Sequence, residues 1–163
     1  LTRERERAPL KSGVNDRKKK EDGMKQSQRL FLTWLIEDTR LFDSIKGWIT
    51  EDDFTEPLYR KAAQELFTQY GESGQVNPAK IISRFQEEEE QKEIAGLFNA
   101  RIHEVETKQD KEKALKETIE RIKENSIDVR SRQSDPNDLT VVMQLINEQK
   151  ELEKLKKTHI SID

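Results

Sequence analysis

Cysteine is absent from the 163 residues, which excludes disulfides, thiolate metal ligands and cysteine nucleophiles. Four prolines and six glycines are too few for the many turns of a β sandwich or barrel. The longest apolar run, residues 30–36, is interrupted by Thr33 and is far too short to span a bilayer. The first residues are charged, so they do not resemble a signal peptide. These absences favour an all-α protein of the reducing cytoplasm.

Charge is abundant but balanced. Charged residues make up 39% of the chain and hydrophobic residues 32%, proportions typical of exposed helices. The formal net charge is −3 and the pI about 5.6, so no overall basic field attracts nucleic acid. Lysines and glutamates alternate along residues 111–124, as on a solvated helix with internal ion pairs. We therefore expect no strong direct binding to nucleic acid and no binding to membranes.

Three regions follow from the distribution of apolar residues. Residues 1–23 contain four scattered apolar residues and no helical stripe, which predicts a disordered charged linker. All ten aromatic residues fall between positions 31 and 98, so the packed core is expected within a helical bundle over residues 24–103. The predicted core comprises Leu30, Trp34, Leu35, Phe42, Leu58, Leu66, Phe67, Ile81, Phe85, Leu97 and Phe98.

The apolar spacing and a polar break within residues 104–163 predict an antiparallel helical hairpin. Leu115, Ile119 and Ile122 lie at helical spacing in the first helix. A polar break over residues 131–135 is followed by Pro136, which favours the start of another helix. The compact bundle followed by this C-terminal hairpin is the predicted architecture.

Residues with catalytic or ligand-binding patterns are scarce. The glycines never cluster at the spacing of a phosphate-binding loop, and the two histidines, His103 and His159, lie far apart in the chain. Four glutamates at positions 87–90 suit a helix N-terminus, and no nearby residue completes a metal site. The sequence therefore indicates no catalytic residue, cofactor site or metal site. The alternative of an enzyme requires a site assembled from less distinctive residues.

Several strings resemble the C-terminal region of bacterial DNA primases, in particular clostridial and related Gram-positive ones. They are QRLFLTWLIEDTRLFDSIKGWI (28–49), DDFTEPLYRKAAQELFTQY (52–70), VNPAKIISRF (76–85), EIAGLFNARI (93–102) and DKEKALKETIERIKENSID (110–128). The resemblance continues through the last helix to HISI, and it covers roughly residues 24–163. Its specificity comes from the order of these strings rather than from any invariant catalytic signature.

The resemblance implies a non-catalytic helicase-binding domain, built from a helical bundle and a helical hairpin. Its implied partner is the set of N-terminal domains of the hexameric replicative DNA helicase. The zinc-binding and polymerase domains of the family lie upstream and have no counterpart here. The helicase's own N-terminal domain resembles the same fold, so that domain or another replication scaffold is the alternative; it would assemble into rings, whereas the primase module is expected to be monomeric alone.

The last helix and the tail behind it carry the predicted partner-binding residues. A two-helix hairpin buries one stripe of each helix, and apolar residues beyond that stripe remain available for a partner. The resemblance also implies that the helicase docks on the hairpin. The predicted contacts are Leu145, Leu152, Leu155, Ile160 and Ile162. The competing interpretation is that Leu152 seals the hairpin against Leu115, Ile119 or Ile122.

Overall fold

A computed structural model describes residues 2–99 and 107–162, with side chains from residue 19 onward. The chain forms α1 (Thr2–Glu37), α2 (Leu41–Ile45), a 3-10 turn η1 (Glu51–Asp53), α3 (Pro57–Ser73), α4 (Pro78–Ile82), α5 (Glu88–Asn99), α6 (Lys108–Gln133) and α7 (Leu139–Lys156). No strand occurs within the described ranges. The all-helical fold class is confirmed.

Helix α1 begins far earlier than the sequence predicted. The prediction placed a disordered linker over residues 1–23, but the backbone is helical from Thr2. The segment is rich in arginine, lysine and glutamate, which have high helix propensity. Once the buried part of α1 is formed, each further residue only extends an existing helix, which avoids the cost of nucleation. Low apolar content therefore excluded a core in this segment but did not exclude a helix.

Local sequence signals explain most of the other helix ends. Asn77 caps α4, because its side-chain oxygen accepts a hydrogen bond from the backbone N–H of Lys80 at 3.2 Å. Thr107 and Asp110 form a reciprocal capping box at the start of α6. Helix α3 continues through Gly71 and ends at Ser73, before Gly74. Gly74 has φ of +71°, a left-handed conformation that favours glycine and terminates the helix.

Buried residues from both predicted parts form one continuous core. Leu115, Ile119 and Ile122 of α6 belong to it, together with the aromatic residues of the bundle. Helix α6 packs against α1 and η1 as well as against α7. The predicted boundary at residues 103 and 104 lies outside the described residues, as does His103. Within the described residues, the hairpin is an integral part of the packing.

The predicted core is mostly right, with one clear error. Leu35, Phe42, Leu66, Ile81, Phe85 and Leu97 are buried, and Trp34, Leu58, Phe67 and Phe98 are partly buried against the core. Leu30, however, is 36% exposed, whereas its neighbours Phe31 and Leu32 are fully buried. Adjacent residues on a helix are 100° apart, so a run of apolar residues does not reveal which of them points inward.

A polar bridge fixes α1 to α6 through the segment before α3. The buried Gln28 donates to the hydroxyl of Thr55 at 2.9 Å and accepts from the backbone N–H of Glu56 at 3.1 Å. Asn125 of α6 donates to the same hydroxyl at 3.0 Å. Because these groups satisfy one another away from solvent, they specify how the two helices meet.

Candidate interaction surface

Helices α6 and α7 form an antiparallel pair, as the order of their side-chain contacts shows. Lys116, early in α6, donates to the backbone carbonyl of Lys156 at the end of α7, at 2.9 Å. Arg130, late in α6, contacts Glu148 nearer the start of α7, at 2.6 Å. Asp138 caps α7 by accepting from the backbone N–H of Val141 at 3.3 Å. The hairpin therefore turns at residues 134–138.

Three large apolar side chains of α7 are exposed to solvent. Leu139 is 73% exposed, Met143 63% and Ile146 49%. Their spacing of four and three residues puts them on one side of the first two turns of α7. We call Leu139, Met143 and Ile146 the outer stripe. Scattered apolar residues are normal on a protein surface, but an aligned set on one helix face is typical of a contact site.

The outer stripe lies on the opposite side of α7 from the core. At 100° per residue, the centre of the outer stripe is roughly 160° around the helix from the centre of the set formed by Leu145, Leu152 and Leu155. Residues 139–147 also contain no Asp, Glu, Lys or Arg, in a chain that is 39% charged. The first two turns of α7, which carry the outer stripe, therefore contain no charged side chain of their own.

The structure corrects the predicted partner-binding set. Leu152 and Leu155 are each 1% exposed and belong to the core, while Leu145 is partly buried against it. These three side chains close the hairpin onto α6, which is the competing interpretation that the sequence had left open for Leu152. The prediction failed because it treated apolar residues in an aromatic-free segment as lacking neighbours, whereas α6 itself packs on the bundle.

Ile160 and Ile162, also predicted as partner contacts, are held by the protein itself. Ile160 is 3% exposed, and Ile162 is partly buried against the core. The backbone N–H of Ile162 donates to the carboxylate of Glu112 at 2.8 Å, and the Ser44 hydroxyl donates to the Ser161 carbonyl at 2.7 Å. The tail thus connects α2 with α6, and it is not free to bind a partner in this conformation.

Four charged side chains meet where η1, α6 and α7 come together. We call Asp53, Lys123, Arg130 and Glu148 the ionic cluster. Lys123 donates to Asp53 at 3.1 Å and to Glu148 at 2.9 Å, so it bridges the two carboxylates. Arg130 does the same, at 3.4 Å to Asp53 and 2.6 Å to Glu148. Two cations thus balance two anions.

Neighbouring groups stabilise the ionised state of the ionic cluster. Burial opposes ionisation of Glu148, but hydrogen bonds from Arg130 and Lys123 outweigh it and hold the pKa of that carboxyl below its ordinary value. Glu148 in turn raises the pKa of Arg130, against the opposing effect of burial. Asp53, which is 1% exposed, also accepts from Ser126 and from the backbone N–H of Thr50.

A second charged contact lies on the other side of the core, between α1, α3 and α5. Glu93 accepts from the Tyr59 hydroxyl at 2.8 Å and from Arg29 at 3.0 Å. The Tyr59 hydrogen bond lowers the pKa of Glu93 despite partial burial, and the Arg29 hydrogen bond and charge act in the same direction. Burial and the Glu93 carboxylate raise the pKa of Tyr59. This arrangement joins three helices through hydrogen bonds and one ion pair.

The described residues contain no group of three or more His, Asp or Glu side chains placed to hold a metal ion. Nor does any helix in the described ranges have the length and apolar character needed to cross a membrane.

The outer stripe is a surface feature that the sequence prediction did not identify. Leu139 and Ile146 are helically spaced apolar residues of the last helix, but neither they nor Met143 were among the predicted partner contacts. The signal that could have identified them is the uncharged run of residues 139–147. Such a run is unexpected at the tip of a hairpin surrounded by solvent.

Comparisons with known proteins give no match. No protein-family model matches the chain, and neither a curated protein nor a solved structure matches it. The fold places the chain in the class of all-helical proteins, and the described residues expose an apolar stripe on α7.

Proposed function

We propose that this chain is a helicase-binding module of the kind found in bacterial DNA primases, docking on the N-terminal domains of the hexameric replicative helicase. In this role it synthesises no primer and acts as a protein–protein adaptor between primer synthesis and fork unwinding. The resemblance of its ordered sequence strings to the primase C-terminal region suggests the partner. The all-helical fold agrees with what that resemblance implies.

The observation that carries the proposal is the outer stripe. Leu139, Met143 and Ile146 present large apolar side chains on an already folded helix, so binding needs little further ordering of the backbone. Packing of such a stripe against the helices of a partner is a common mode of recognition. The stripe is also exposed and not part of the buried core, so a partner can reach it without disturbing the fold.

The size of the outer stripe argues against stable self-association through it. A specific interface commonly buries about 800 Å² on each partner. Three side chains on two helical turns fall short of that area. Docking on a larger protein can add further contacts around the stripe, which a symmetric pair of short helices cannot.

Binding to the isolated N-terminal domain of a bacterial replicative helicase tests the proposal by calorimetry. We expect Met143→Asp to weaken binding about tenfold or more, because a charge would enter an apolar contact without a partner. Gln144→Asp is the matched control, since it adds the same charge to the neighbouring exposed residue off the stripe. Far-UV circular dichroism of both variants should match that of the unmodified chain.

Two results would contradict the proposal: absence of binding by the unmodified chain, or equal binding by the Met143→Asp and Gln144→Asp variants. Two alternatives predict different behaviour. A helicase N-terminal domain would form rings, which size-exclusion chromatography with light scattering detects. A nucleic-acid-binding module would bind oligonucleotides with an affinity that falls steeply with salt.

A further inference from the structure

The ionic cluster lies between the bundle and the outer stripe. Asp53 belongs to η1 of the bundle, whereas Glu148 lies on α7, two residues beyond Ile146. The two carboxylates have no contact with each other except through the cations of α6. Lys123 and Arg130 each touch both of them. The cluster thus forms a chain of contacts from the bundle, through α6, to the helix that carries the outer stripe.

Apolar packing alone would leave the first half of α7 weakly fixed. Leu152 and Leu155 secure its second half, but in the first half Leu145 is partly buried, and Leu139 and Met143 face solvent. Apolar contacts also permit sliding and rotation, since they have little directional preference. The forked guanidinium of Arg130 donates from two nitrogens to the two carboxylate oxygens of Glu148, at 2.6 and 2.8 Å. This pair of hydrogen bonds defines both the position and the angle of α7 at Glu148.

We propose that Glu148 is a positioning residue. It fixes the first half of α7, with its outer stripe, relative to the bundle through Arg130, Lys123 and Asp53. The geometry explains why a charged residue occupies the inner side of α7 between Leu145 and Leu152. A leucine at this position could pack against α6, but it could not link α7 to Asp53. This inference concerns the orientation of the stripe and holds whether or not the partner is a helicase.

Pulsed electron spin resonance on the full chain tests this inference directly. The absence of cysteine allows two spin labels to be placed by Gln64→Cys on α3 and Gln144→Cys on α7, both at exposed positions. The labelled parent should give one narrow distance distribution. Glu148→Gln should replace it with a broader or shifted distribution, because one carboxylate then remains for two cations.

Glu153→Gln is the matched control. It removes the same charge from the same helix, but Glu153 pairs with Lys156 at an exposed position away from the bundle. Its distance distribution should equal that of the parent. A merely structural contribution of Glu148 would lower thermal stability without changing the distribution measured at a temperature where the chain is folded. An unchanged distribution in Glu148→Gln overturns the inference.

Arg130→Lys keeps the test decisive if Glu148→Gln does not fold. Lysine retains the charge but has no fork to hold both oxygens of Glu148. We expect a broadened distribution with helicity preserved. A distribution identical to that of the parent in Arg130→Lys would then overturn the inference, since the angular constraint is assigned to that fork.

Discussion

The first half of α7 exposes its large apolar side chains, whereas the second half buries them. Leu139 and Met143 face solvent, while Leu152 and Leu155 lie in the core beside α6. Both halves have the same helical geometry, and the first half has the more apolar residues, six in residues 139–147 against two in residues 148–156, so apolar content alone does not account for the difference. What differs is the side of the helix: Leu152 and Leu155 face α6 and the core, whereas Leu139 and Met143 lie on the opposite side of α7. Burial along one amphipathic helix is therefore decided by its neighbours.

Truncation of one leucine in each half gives the sharpest test of this difference. Leu152→Ala should lower the free energy of unfolding by about 2–5 kcal/mol, because it leaves a cavity in packed surroundings. Leu139→Ala should change it by no more than about 0.5 kcal/mol, since its side chain is largely exposed. Urea denaturation followed by circular dichroism measures both. Equal losses in the two variants would show that the halves are not distinct.

The tail that follows α7 should make a smaller contribution. Ile160 is buried, and Ile160→Ala should lower the free energy of unfolding by about 2 kcal/mol, at the low end for buried isoleucine because a terminal segment can relax around the gap. Thermal unfolding measures the loss. His159→Ala is the control, since His159 is mostly exposed and lies 3.4 Å from Glu112. A loss in Ile160→Ala no greater than in His159→Ala would mean that the tail does not complete the core.

Lowering the pH should reveal the smallest of the three effects, which is the contribution of the ionic cluster to the free energy of unfolding. The pKa of Glu148 is lower in the folded protein than in the unfolded chain, so its contribution to stability is present above the ordinary glutamate pKa of about 4.3 and is lost as the pH falls through the folded value. Glu148→Gln should therefore be less stable than the parent at neutral pH. The difference should shrink in acid, where protonated Glu148 resembles glutamine.

Urea denaturation of both proteins across this pH range measures the difference. Glu153→Gln should remain close to the parent throughout, because the Glu153–Lys156 pair is exposed and such pairs contribute little. A stability difference between Glu148→Gln and the parent that did not depend on pH would assign the effect of Glu148 to packing rather than to charge.

Sequence periodicity was sufficient for the helices and for the hairpin break, because capping residues and Pro136 are local signals. It was not sufficient for α7, where two apolar stripes on opposite sides each fit a helical repeat. Glu148 interrupts the buried stripe, so periodicity alone does not show which of the two stripes faces inward. The partners that make a partly buried glutamate favourable here, Arg130 and Lys123, lie on another helix. Only the tertiary structure brings them together.

The interaction between Asp53 and Arg130 also has a consequence for synthesis on the ribosome. The two residues are separated by 77 positions in the chain. At roughly 5–20 residues per second, Asp53 emerges about 4–15 s before its cationic partners. During that interval the carboxylate must remain hydrated, since burying it unpaired would be costly. We therefore expect the nascent bundle to close around η1 only after α6 has been translated.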